Sequence, residues 1–164
     1  MFCKSKTKEI FKGNDLCGFC EDLNKHSPAN FTRYVQDTLD RLYSANLPRT
    51  LINLVLVLDV RSVKELNSGG LICELLHKSG CSCAAYPTDD QARTLNEWVP
   101  QYQQNLVDLV NTGRYEQRDD FTVVVQPFLA ETALPRKTSG AVDFSYFAPD
   151  CFHFSGLLNI SFRT

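Results

Sequence analysis

One apolar run constrains the fold of this 164-residue chain more than any other feature. Residues 51–58 read LINLVLVL, a segment of strand length that is apolar on both of its faces. Such a strand is typical of a parallel sheet that is covered by helices on both sides. A second run, FTVVVQ at Phe121–Gln126, has the same character and is followed by Pro127. The two runs predict an α/β protein with a parallel sheet.

An amphipathic segment before the first run predicts a helix. Ser27 and Pro28 form an N-cap followed by a first-turn proline, and apolar residues then recur every three or four positions. We expect this helix to end near Asn46. Residues 61–87 lack a comparable pattern. They are predicted to form an excursion over the surface that disulfides hold in place.

A second amphipathic segment lies between the two apolar runs. It begins at Thr88, and Pro100 should kink or divide the helix before Gly113 ends it. Helix–strand–helix–strand order supports the α/β assignment. Two strong strands are too few for a complete doubly wound sheet, so we expect an incomplete fold whose sheet lacks its N-terminal strands.

The charge balance disfavours some classes of partner. The formal net charge is −2 and no long basic run occurs, which argues against nucleic acid as a partner. No segment approaches the roughly 20 apolar residues that span a bilayer. Residues 1–12 (MFCKSKTKEIFK) lack the apolar core of a signal peptide. Two sequons, at Asn30 and Asn159, nevertheless fit a secreted glycoprotein.

Seven cysteines offer two interpretations, a disulfide framework or a zinc site. The C-x-x-C pair at Cys17 and Cys20 lacks a second half, because Cys81 and Cys83 are too close together for a zinc knuckle and the histidines form no spaced pair. We therefore expect disulfides, with neither a metal nor another cofactor. The cysteines lie at positions 3, 17, 20, 73, 81, 83 and 151.

The sharpest local signal is the stretch APDCFHFSG, which places Asp150 three residues before His153. A carboxylate that orients an imidazole creates a general base for a nucleophile. The alternative is a histidine packed among phenylalanines, with Asp150 as a helix cap. Cys17 or Cys20 could serve as a thiol nucleophile, but their spacing favours a disulfide.

Three segments together resemble the phospholipase B branch of the SGNH (GDSL-type) hydrolases: GNDLCGFCEDLNKHSPANFT, EQRDDFTVVVQPFLAET and FAPDCFHFS. The resemblance implies a flavodoxin-like α/β/α sandwich that hydrolyses acyl esters of phospholipids and lysophospholipids through a Ser-His-Asp triad. It implies that Asp150 is the orienting acid and that His153 is the general base. Asn14 would be the side-chain donor of the oxyanion hole.

The chain departs from that family in two respects. No Gly-Asp-Ser sequence, which would carry the nucleophile, occurs anywhere in it, and Lys12 replaces a family glycine. We therefore expect residues 13–164 to be the C-terminal part of such a domain, truncated in its last helix, behind an anomalous segment 1–12. The chain alone would then have little or no activity. The alternative is a non-catalytic lipid- or protein-binding module.

For a full-length parent, the resemblance implies a phospholipid or lysophospholipid substrate. It also implies a location in the secretory pathway, at the cell surface or outside the cell, with membrane association through missing segments. Six of the cysteines resemble family positions, and their pairing stays open. A local Cys17–Cys20 bridge, Cys73 paired with Cys81 or Cys83, and Cys151 tied to the Asn14 loop are the expected arrangement.

Overall fold

The structure is a computed structural model that describes residues 15–156. Short 3₁₀ turns connect its regular elements. In chain order these elements are α1 (Pro28–Ser44), β1 (Thr50–Val55), α2 (Val63–Leu66), α3 (Leu71–Gly80), α4 (Ser82–Ala85), α5 (Asp89–Asn111) and β2 (Phe121–Gln126).

The two predicted strands pair in parallel, as expected. Thr50 lies opposite Phe121, and the register continues to Val55 opposite Gln126. The first strand stops at Val55, before the apolar run ends. Burial on both faces was a wrong expectation for this strand, because burial alternates along it and Leu51 is 60% exposed. Within the described residues, one face of the sheet is therefore open.

The other face of the sheet is covered by the two long helices. Leu39 of α1 and Leu109 of α5 form a buried cluster with Phe121 and Val123 of β2. Further along, the ring of Phe31 stacks on that of a buried tyrosine in α5, with 4.3 Å between the centroids. This packing explains why the 3.6-residue apolar rhythm predicted both helices.

Both helix starts are capped as the sequence predicts. The Ser27 hydroxyl accepts a hydrogen bond from the Asn30 N–H, and Thr88 forms a reciprocal capping box with Gln91. The first helix ends at Ser44, close to its predicted end. The second runs unbroken past Pro100 to Asn111, so the expected division at the proline is wrong.

A glycine with a left-handed backbone conformation follows the end of α5. Gly113 has a φ of 68°, and its N–H bonds to the carbonyl of Val110. Glycine tolerates this conformation without a steric penalty, which is why it was the predicted stop.

Residues 61–87 are helical, and they contribute to the core, which corrects the expected surface excursion. The helices α2, α3 and α4 are short, and none shows a long periodic pattern. Residues of this region and of the N-terminal turns share one apolar cluster with α5. Its members include Leu16, Phe19, Val60, Val63, Cys81, Cys83, Ala84, Ala85, Leu95 and Val99.

Three disulfides tie these short elements together. They join Cys17 to Cys81, Cys20 to Cys83, and Cys73 to Cys151. All three expected pairings are therefore wrong, because each bond links cysteines 63 to 78 positions apart. The close spacing of Cys17 with Cys20, and of Cys81 with Cys83, reflects two adjacent disulfides between these pairs. Neither disulfide joins the two cysteines within a pair.

Candidate active site

A tight turn after β2 brings Asp150 and His153 together. The chain returns from Gln126 through a long loop, and an isolated bridge between Phe147 and Phe154 closes the turn at its base. Within it, the Ala148 N–H donates to the His153 carbonyl at 2.7 Å. The backbone thus holds both side chains on one short segment.

The Asp150 carboxylate uses its two oxygens for different purposes. Oδ1 accepts the backbone N–H groups of Phe152 and His153, each at 3.0 Å. Oδ2 accepts the Nδ1–H of the His153 imidazole at 2.6 Å. This arrangement fixes the histidine tautomer and leaves Nε2 as the nitrogen that can take a proton.

The electrostatics of the pair favour an ionised aspartate. Partial burial by itself would raise the pKa of Asp150, but the hydrogen bonds from His153 and from the two backbone N–H groups outweigh it and lower the pKa. The His153 side chain is 76% exposed. This exposure contradicts the alternative of a packed histidine, and Asp150 caps a turn instead of a helix.

The turn is anchored to α3 through Cys151, which lies between the two residues. Cys151 has a φ of 58°, a left-handed conformation that a residue with a side chain rarely adopts. Its sulfur bonds to Cys73, and its carbonyl lies 3.3 Å from Nε2 of His77. The disulfide to Cys73 holds the strained residue in place.

His77 is a site residue that the sequence reasoning missed. It is 2% exposed, and its Nδ1 donates to Oδ1 of Asn67 at 2.7 Å. The Asn67 amide in turn donates to the Ala85 carbonyl, which fixes its orientation. Burial lowers the pKa of His77, although the Cys151 carbonyl and the Asp150 charge oppose that shift. The four-residue spacing of Cys73 and His77, on one face of a helix, was the available signal.

A cleft that opens to solvent lies beside the turn. Apolar side chains dominate its lining, and Phe152 connects it to the candidate site because the Phe152 and His153 ring centroids are 5.3 Å apart. The other lining residues include Leu58, Val63, Leu66, Leu134, Phe147 and Phe154.

The predicted oxyanion donor, Asn14, lies outside the described residues. Its neighbour Asp15 opens a 3₁₀ turn and accepts a hydrogen bond from Nδ1 of His26 at 2.9 Å. The buried Tyr102 hydroxyl donates to the carbonyl of His26. Asp15, which follows Asn14, is therefore held by a second Asp–His contact that the sequence reasoning did not identify.

The candidate nucleophiles considered among the described residues all have other partners. Cys17 and Cys20 are both in disulfides, which excludes the thiol alternative at these positions. Two serine hydroxyls close in sequence have other acceptors: Ser145 donates to Asp143, and Ser155 to the Ser145 carbonyl.

The remaining predicted positions are glycosylation candidates. Asn30 is half-buried in the first turn of α1, where its amide donates to the Asn24 carbonyl at 2.7 Å. Asn159 lies outside the described residues. Between residues 15 and 156, no group of three or more His, Cys, Asp or Glu side chains is arranged to hold a metal ion.

Comparison with known proteins points to lipid hydrolases. Residues 10–159 match the family model of the GDSL-like lipase/acylhydrolases. The chain is 43% identical over 147 residues to human membrane-associated phospholipase B1, and 41% identical to that of the rat. Each match covers 87% of this chain and 10% of the relative, so the chain spans about a tenth of the relatives' length.

No solved structure matches the chain. In the part that the structure describes, no helix has both the length and the apolar character needed to cross a membrane. On the strength of the family match, the chain belongs to the GDSL-like lipase/acylhydrolase family.

Proposed function

We propose that Asp150 and His153 are the acid and base of a triad that hydrolyses acyl esters of phospholipids or lysophospholipids. The observation that carries this proposal is the 2.6 Å contact between Asp150 Oδ2 and His153 Nδ1, beside an imidazole that is 76% exposed. Membership in a lipase and acylhydrolase family supports it, as does the similarity to phospholipases.

The chemistry follows from this geometry. A nucleophilic oxygen that attacks the ester carbonyl would lose its proton to Nε2 of His153, and Asp150 would stabilise the resulting imidazolium. His153 would then return the proton to the leaving alcohol, which leaves the acyl group on the nucleophile. Water, losing its proton to the same Nε2, would attack that acyl group, and His153 would return the proton to the nucleophile as the fatty acid leaves. We assign the amide of Asn14 to the developing oxyanion, a role that rests on the family resemblance.

The nucleophile is the missing member of the triad. The chain contains no Gly-Asp-Ser sequence, so we propose that its 164 residues alone turn over substrate little or not at all. We assign residues 13–164 to a hydrolase domain whose serine block lies in other sequence. The disulfides support a proposed passage through the secretory pathway, where Asn30 and Asn159 would be glycosylation candidates.

Activity measurements on the chain and on a chimera test this proposal. The purified chain should release no fatty acid from lysophosphatidylcholine at an enzyme-like rate. Human phospholipase B1 carrying this chain in place of its matched region should be active, and His153→Ala or Asp150→Asn should lower kcat by about 10³-fold or more.

Asp143→Asn is a matched control for the Asp150 variant. Asp143 also accepts the N–H of the residue two positions on, and its pKa is likewise lowered, mainly by hydrogen bonds from Ser145. It has no histidine partner, so its variant should keep full activity. An active chimera that is insensitive to His153→Ala would refute the proposed roles, and rapid turnover by the isolated chain would refute the missing nucleophile.

A further inference from the structure

The helix α3 exposes a continuous aliphatic face. Leu71, Ile72, Leu75 and Leu76 are 71%, 69%, 57% and 42% exposed within the structure. Single exposed apolar residues are ordinary, but four on one helix of ten residues form a patch.

The helix is fixed by its opposite face. Cys73 and His77, one turn apart, are the buried residues of α3, and at about 100° per residue they point away from the four aliphatic side chains. The aliphatic face is therefore presented outward by a helix that is firmly attached to the core. Glu74 and Lys78 lie along one flank of this face.

This face is linked directly to the candidate active site. The same two buried residues contact Cys151: Cys73 through the disulfide, and His77 through the Cys151 carbonyl at 3.3 Å. Cys151 lies between Asp150 and His153. The helix that carries the aliphatic face is therefore joined by a disulfide to the turn that carries the proposed base.

We propose that the aliphatic face of α3 docks the chain on a phospholipid surface. This inference rests on the proposed function. The helix would lie in the interface, with its four aliphatic side chains at the boundary between headgroups and acyl chains.

The charges that flank the face complement a zwitterionic headgroup. Glu74 offers a negative charge to a choline or ammonium group, and Lys78 offers a positive charge to a phosphate. The Lys78 ammonium lies 5.3 Å from the ring centroid of Tyr86, which is 39% exposed. A lysine and a tyrosine beside an aliphatic stripe are typical of a membrane–water interface.

The composition of the face disfavours a second protein chain as its occupant. The face lacks the aromatic and arginine residues that anchor protein interfaces.

Cosedimentation of the full chain with phosphatidylcholine vesicles tests the proposal without any need for turnover. The wild-type chain should partition onto the vesicles, and Ile72→Asp with Leu75→Asp should weaken partitioning by at least about tenfold, since each aliphatic side chain removed from lipid is worth about that factor. Leu23→Asp is the matched control, because Leu23 is 55% exposed but lies outside α3. It should leave partitioning unchanged.

A second pair, Ile72→Asn with Leu75→Asn, replaces the charged pair if near-ultraviolet circular dichroism shows that the latter is unfolded. Absence of binding by the wild-type chain, or equal binding by a folded variant, overturns the proposal. A dimer that either variant disperses, without lipid binding, also overturns it and assigns the face to self-association.

The two proposals can fail separately. Vesicle binding that survives a failed His153 assignment would leave the docking face standing. An active chimera dependent on His153, combined with an isolated chain that ignores vesicles, would leave only the proposed function.

Discussion

At the scale of single residues, Asp150 shows why a short sequence pattern can encode a site. Its oxygens reach the N–H groups two and three residues on, and also the imidazole of His153. All these partners lie within one turn, so the D-x-x-H spacing itself makes the contact possible. The Asp–His contact was therefore predictable from sequence, whereas its catalytic role remains a proposal.

His77 gives a prediction at the same scale, namely that its titration destabilises the fold in mild acid. Its pKa is lowered below the ordinary value of 6.5, chiefly by burial. The unfolded chain therefore takes up this proton first, and the free energy of unfolding should fall as the pH drops below about 6.5. Above that pH the contribution is complete. Asn67, the Cys151 carbonyl, Asp150 and the Phe152 ring surround the imidazole.

Denaturant unfolding between pH 7.5 and pH 5 measures this effect. His77→Gln should flatten the dependence, because glutamine does not titrate. A slope that is unchanged in His77→Gln would contradict the prediction. Loss of the Asp150 contribution occurs at lower pH, below its ordinary 3.8, and does not interfere.

At the scale of elements, the long helices and the strands were predictable because their signals are local. The caps of α1 and α5 and the start and end of β2 follow from residues within a few positions. Pro100 was the exception. Its neighbours Val99 and Tyr102 are buried in the core, and this packing keeps α5 continuous across the proline.

The capping box of α5 gives a prediction at this scale. Thr88→Ala removes the hydroxyl that accepts the Gln91 N–H, so the free energy of unfolding should fall by about 1 kcal/mol. Thr94→Ala is a matched control in the same helix, because its hydroxyl only bonds back to the Asp90 carbonyl. It should change stability by less than about 0.5 kcal/mol. Urea denaturation of both variants checks this, and equal losses would count against the cap.

The short helices were not predictable because nothing local specifies them. Each of α2 and α4 has four residues, too few to show a period or to be stable alone. Their side chains become core residues only when disulfides and α5 lie beside them. An element that is stabilised mainly by distant residues is therefore hard to predict from its own sequence.

At the scale of the whole molecule, the Cys73–Cys151 bond should be a major source of stability. It closes a separation of 78 positions, and replacing both cysteines with serine should lower the free energy of unfolding by roughly 4.5 kcal/mol in the chain-entropy account. The turn at Cys151 should also loosen, because its left-handed backbone loses a restraint.

Thermal and urea unfolding of the double variant test this expectation. Ser79→Ala, an exposed change on the same helix, should be neutral within about 0.5 kcal/mol. Hydrogen exchange should report faster opening at residues 150–153 in the double variant. An unchanged unfolding midpoint together with unchanged exchange would show that this bond contributes little.

The sequence by itself determined the α/β class, the parallel pair of strands, the two long helices and the Asp150–His153 contact. Each depends on hydrophobic period, capping chemistry or a spacing within one turn, and these are properties of neighbouring residues. Only the tertiary structure decided the disulfide pairing, the burial of His77 against Cys151 and the outward aliphatic face of α3. Those depend on which distant segments meet, because partners 63 to 78 positions apart are chosen by packing and topology, on which local patterns carry no information.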